Sequence, residues 1–108
     1  MPQGRNEVYA RALAVVLRAI RKKREISIKG LARRLDMSPS GIRGWEAGLS
    51  SPTWANLVDV TRVFHVKLSD MMLAVEKVIT TLERQNETAK PTTARGNAKR
   101  KSVGPPSD

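Results

Sequence analysis

The chain has 108 residues, room for one domain and a tail, and carries 20 Lys and Arg against 10 Asp and Glu for a formal charge of +10. It holds no cysteine, which excludes a disulfide framework and thiolate chemistry, and its one histidine, His65, has no partner ligands at metal spacing. No apolar run approaches the roughly 20 residues that span a bilayer, and the opening MPQGRNEV lacks the apolar stretch of a signal peptide, so a soluble intracellular protein is expected.

Residues 1–6 are expected to be a flexible N-terminus. From Glu7 to about Lys23, Ala10, Leu13, Ala14, Leu17, Ile20 and Arg21 recur at helical spacing, Val8, Tyr9 and Val16 widen the apolar band, and the alanines raise helix propensity. Arg21-Lys22-Lys23-Arg24 sets four cations at the helix C-terminus, where the macrodipole favours them; a solvated helix end and a phosphate contact explain the run equally well. After Glu25-Ile26, Ser27 caps a second helix, Ile28–Leu35, with Ile28, Leu31, Ala32 and Leu35 on one face and Lys29, Arg33 and Arg34 off it. Asp36-Met37-Ser38 turns into a third helix over 39–47, which opens on a Ser N-cap and a Pro at its first position and stops at Gly48. Its Ile42 and Trp45 point inward, leaving Ser40, Gly41, Arg43 and Gly44 outside. Two short helices joined by a tight turn in a basic chain predict that the second enters a DNA major groove.

Leu49-Ser50-Ser51-Pro52 reads as a loop, and Thr53 opens a fourth helix to about Phe64, with Trp54, Leu57, Val58, Thr61 and Phe64 on its buried side. A fifth helix starts at Lys67 or Ser69 and runs to about Glu87. It carries two overlapping apolar stripes, 68-72-75-79-82 and 71-75-78-82. One stripe closes the monomer; the second is read as a dimer surface through Met72, Val75, Ile79 and Leu82, in preference to a long helix folded back on its own domain. Residues 7–87 thus form the domain. Residues 88–108 hold three prolines, five cations and almost no bulky apolar side chains, the composition of a disordered basic tail. Such a tail either adds sequence-independent affinity for nucleic acid or is an inert solubilising segment.

Residues 13–72 resemble the Cro/cI-type helix-turn-helix family, also called lambda-repressor-like or XRE. The matching stretches are LRAIRKKREIS, GLARRLDMS, SGIRGWEAGLSSP and NLVDVTRVFHVKLSDMM, of which Trp45, Glu46, Gly48 and Pro52 downstream of LARRL are the most specific. The resemblance implies an all-α, five-helix lambda-repressor-like DNA-binding domain, here with an extended C-terminal helix. It implies that Ser38, Pro39, Ser40 and Gly44, with Arg43 beside them, read bases. Lys29, Arg33, Arg34 and the 49–54 loop, through Ser50, Ser51 and Trp54, would hold phosphates. It also implies a buried ion pair between Arg21 and Glu46, which makes Glu46 structural and not catalytic, and a structural Trp45. The chain departs from the family at Ile28, where a phosphate-touching Gln is usual, and at Glu25, Asp36 and His65, where glycines are usual. Pro39, Gly41 and Gly44 stand where longer polar side chains are common, so base readout is expected to be sparse, with Arg43 the one long side chain able to grip a guanine.

The function expected is a sequence-specific transcriptional regulator, a dimeric repressor of phage, plasmid or mobile-element type, bound to a palindromic operator in double-stranded DNA and located in the bacterial cytoplasm with the nucleoid. The alternative is the antitoxin half of a toxin–antitoxin pair that also binds its own operator, with a protein partner; the basic tail argues mildly against it. A third reading is a sequence-indifferent nucleic-acid binder. An enzyme is least expected: there is no nucleophile–base pair, no metal cluster and no phosphate-cradling glycine loop, and no cofactor is called for.

Overall fold

A computed structural model describes residues 5–89, which form five helices and, among these residues, no strand: α1 (Arg5–Lys23), α2 (Ile28–Leu35), α3 (Pro39–Glu46), α4 (Trp54–Phe64) and α5 (Leu68–Ala89). Arg5 and Asn6, expected to be loose, belong to α1, and α5 continues through Ala89, two residues past the expected end. Residues 1–4 and 90–108, which include nearly all of the basic tail, lie outside the described residues.

Three helices start on a hydroxyl. Ser27 Oγ accepts from Gly30 N–H at 2.9 Å, Ser38 Oγ from Gly41 N–H at 3.2 Å and Thr53 Oγ1 from Asn56 N–H at 3.1 Å, each satisfying a backbone donor that the first turn leaves without a partner. Four helices end alike. Glu25 (φ 57°), Asp36 (φ 55°), Gly48 (φ 75°) and His65 (φ 56°) take the left-handed conformation just past α1, α2, α3 and α4. At each, the left-handed residue donates to the carbonyl three back and the next residue to the carbonyl five back, as in His65 N–H to Arg62 O at 3.2 Å and Val66 N–H to Thr61 O at 3.1 Å. The apolar residue that follows folds onto the core after α1, α2 and α4, through Ile26, Met37 and Val66.

The main core joins Val16 and Leu17 of α1, Leu31 and Ala32 of α2, Ile42 and Trp45 of α3, Leu57, Val60 and Phe64 of α4, and Met71 of α5. Val60 is fully buried, whereas Trp54, placed on the buried side by the sequence reading, is 65% exposed. The stripe of α4 is 57-60-61-64, and Trp54 at the first helical position sits beyond its end. A second, smaller cluster unites Val8 and Ala12 of α1 with Leu82 of α5, with Val75, Val78 and Ile79 packed against it. The N-terminal half of α1 and the C-terminal part of α5 thereby pair lengthwise, and α1 packs more extensively on α5 than on any other helix. This corrects one sequence expectation: Leu82, read as a dimer contact, is 8% exposed and spends its apolar surface inside its own chain. The physical reason is that α1 begins early enough to cover the far end of α5, so the second stripe has an intramolecular partner.

Candidate nucleic-acid interface

α3 is held at both ends. Its start is fixed by Ser38, and its last residue, Glu46, is gripped by Arg21 from the end of α1: Arg21 Nε donates to Glu46 Oε2 at 2.6 Å and Nη2 to Oε1 at 2.9 Å. Arg21 Nη1 donates to the Ile26 carbonyl at 2.9 Å, so one guanidinium ties α1, the α1–α2 turn and α3 together. The two side chains are about nine-tenths buried. The hydrogen bonds that Arg21 donates to Glu46 raise the Arg21 pKa above its ordinary value, outweighing the lowering by burial. A bidentate pair of this kind fixes orientation as well as distance.

With Ile42 and Trp45 turned inward, the outer face of α3 and its cap carries Ser40, Arg43 and Ala47 at spacings of three and four, all exposed. Arg43 makes no hydrogen bond or ion pair among the described residues and is free to reach a ligand. The other base-reading candidates stand differently. The Ser38 hydroxyl is engaged as the N-cap, and Pro39 is half-buried at the first helical position. Gly44 is half-buried beneath the following loop: a Cβ added there would stand 3.0 Å from Ser50 Oγ, so Ser50 already occupies the space a longer residue would use. Leu49 N–H and Ser50 N–H both point to the Gly44 carbonyl, at 3.0 and 3.3 Å, which locks that loop onto the helix end.

Lys29, Arg33 and Arg34 are exposed on α2 without protein partners among the described residues, and Ser50, Ser51 and Trp54 are exposed on the loop and the first turn of α4. Two exposed groups at the end of α3 escaped the sequence reading. Ala47 continues the Ser40–Arg43 row, and Leu49 is 85% exposed. The spacing of 40, 43 and 47 would have found the first. Nothing local marks Leu49, because an apolar residue in that position of a helix end ordinarily packs inward.

The remaining α5 candidates, Met72, Val75 and Ile79, are half-buried. They line one wall of an apolar furrow of about 360 Å³ whose other walls are Asn6, Tyr9, Ala10 and Leu13 of α1 with Ser51 and Leu57. The described residues contain no group of His, Cys, Asp or Glu able to hold a metal ion, and no helix long and apolar enough to cross a membrane.

A tight two-helix unit whose second helix is clamped at both ends with a free arginine facing out is the arrangement of a DNA-binding helix-turn-helix. The chain belongs to the helix-turn-helix family of the Cro/cI (XRE) type, whose model matches residues 17–71, and with it to the DNA-binding proteins that regulate transcription. The match covers the α1 end through the first turn of α5 and leaves out the paired halves of α1 and α5. Among solved structures, the chain is similar to the clp gene regulator ClgR from Corynebacterium glutamicum: 20% identity and a TM-score of 0.70 over 75% of this chain and 86% of that one. A second crystal structure of ClgR matches at 20% identity and a TM-score of 0.62, over 66% of this chain and 91% of that one. At this identity the likeness establishes a shared fold. Curated protein sequences yield no match.

Proposed function

We propose that the protein is a sequence-specific repressor that binds a palindromic operator as a homodimer, of the type carried by phages, plasmids and mobile elements. The observation that carries this reading is the rigid seating of α3 by the Arg21–Glu46 pair, which leaves Ser40 and unpaired Arg43 directed outward. Ser40 and Arg43 read base edges; Lys29, Arg33, Arg34, Ser50, Ser51 and Trp54 hold the backbone on either side, which sets register without carrying sequence information. The similar fold of ClgR, a gene regulator, accords with a regulatory role. With Leu82 withdrawn into the monomer, the dimer contact falls to the furrow between α1 and α5, whose walls include Tyr9, Met72, Val75 and Ile79. Two copies joined there would present two α3 helices to half-sites about one helical turn apart.

The test is a footprint on the DNA immediately upstream of the gene, with excess unrelated DNA present, followed by selection from random sequences. Two symmetric protected half-sites about one turn apart are expected. A single protected half-site would remove the dimer. Equal affinity for all sequences after selection would remove the operator-binding reading altogether.

A further inference from the structure

The helix ends described above supply an internal comparison. Four times the chain closes a helix with a left-handed residue followed by an apolar one: Glu25-Ile26, Asp36-Met37, Gly48-Leu49 and His65-Val66. The backbone hydrogen bonds are the same in all four. Ile26, Met37 and Val66 lie against the core, which is the ordinary fate of an apolar residue there. Leu49 alone stands out in solvent, 85% exposed, the most exposed of the large apolar side chains among the described residues.

Its backbone is held in place. Leu49 N–H donates to the Gly44 carbonyl at 3.0 Å, Ser50 closes over Gly44, and Gly48 rests on the α1 backbone, where an added Cβ would come 3.8 Å from Arg11 Cα. An exposed leucine on a hydrogen-bonded backbone follows, two residues on, the exposed row of Ser40, Arg43 and Ala47 that the operator-binding reading turns toward DNA. In the major groove only one base offers an apolar group, the C5-methyl of thymine.

We infer that Leu49 reads a thymine methyl group, with the Ala47 methyl beside it, next to the base pair gripped by Arg43. This rests on the operator-binding reading above and adds to it a second kind of specificity: one hydrogen-bonded base and one recognised by apolar contact. It also accounts for how a recognition helix with glycine at positions 41 and 44 discriminates among sequences, because part of the readout is carried by the loop that covers it.

The experiment starts from the operator obtained by selection. Each thymine in turn is replaced by deoxyuridine, which removes the methyl group and leaves base pairing and hydrogen-bonding edges intact. For the wild-type protein, replacement at one position per half-site is expected to weaken binding about four-fold, the worth of one buried methyl group. Leu49→Ala should bind the thymine and deoxyuridine operators equally, while Arg43→Ala keeps the difference. Because Leu49 is exposed, its variant should melt with the wild type, which a thermal scan verifies. If the selected operator shows no methyl dependence at any position, or if Leu49→Ala retains it, the inference is overturned while operator binding stands. If Leu49→Ala instead changes only the sedimentation of the protein, Leu49 belongs to a protein contact and the inference is again overturned. Failure to select any sequence would take down the operator reading itself, and this inference with it.

Discussion

At the residue scale, the two arginines of the site illustrate opposite uses of one side chain. Arg21 is buried and doubly bonded to Glu46, so removing either partner strands a charge inside the protein. Glu46→Ala is expected to cost about 3–5 kcal/mol, measured by denaturant unfolding, whereas replacing both with apolar residues of similar volume should cost far less. Arg43 is exposed and unpaired among the described residues, so Arg43→Ala should leave the melting curve unchanged and cost about 1–3 kcal/mol of operator affinity, with relaxed preference at one base pair in a binding competition. The left-handed residues give a prediction of the other sign. Glu25 and His65 hold φ values near +57° that favour glycine. Glu25→Gly and His65→Gly are each expected to stabilise by about 0.5–1 kcal/mol, read as a rise of a few degrees in Tm; Asp36→Gly should gain less, because Asp visits this region more readily.

At the scale of elements, the sequence made most of the fold legible where periodicity and caps agreed. Ser27, Ser38 and Thr53 marked three helix starts, and all three hydroxyls accept the first-turn hydrogen bonds. The apolar faces of α2 and α3 follow from spacing alone, as Leu31, Ala32, Ile42 and Trp45 show. Two kinds of information were out of reach. One was which apolar positions of a helix are innermost: Trp54, at the start of α4, is exposed, whereas Val60 in its middle is fully buried. The other was what covers a stripe. The second stripe of α5 indicated that something packs on it, and a segment of the same chain, Val8 and Ala12, takes part of it while leaving the furrow. Leu82→Ala should therefore destabilise the monomer by about 2–5 kcal/mol, as truncation of a packed leucine does. Tyr9→Glu, on the exposed rim of the furrow, should leave unfolding nearly unchanged and shift sedimentation from dimer to monomer; a dimer that persists would place the interface elsewhere. For the site, the resemblance pointed to α3 and the loop after it, where Ser40, Arg43, Ser50 and Ser51 stand exposed. The cover that Ser50 places over Gly44 and the outward set of Leu49 depend on loop geometry, which spacing does not encode.

At the scale of the whole molecule, charge and packing divide the labour. Lys29, Arg33 and Arg34 supply three cations per protomer, six in the proposed dimer, so a plot of log affinity against log salt concentration should fall with a slope of about −5 if all six meet phosphates. A markedly shallower slope would take some of these cations off the DNA. The two apolar clusters differ in size, and the smaller one holds only the paired ends of α1 and α5. Hydrogen exchange should accordingly be faster over residues 5–12 and 79–86 than over α4, where Val60 and Phe64 are fully buried.

The covering of Gly44 by Ser50 has a consequence for how this molecule can change. A regulator whose helix bristles with long side chains must alter several of them to leave one target for another. Here the vocabulary is short, and the helix and the loop share it. A larger residue at position 44 would press on the Ser50 hydroxyl, which must move aside to admit it, so what position 44 can become depends on the residue at position 50. Libraries that vary 44 and 50 together should therefore yield proteins with altered targets that libraries varying either position alone do not contain.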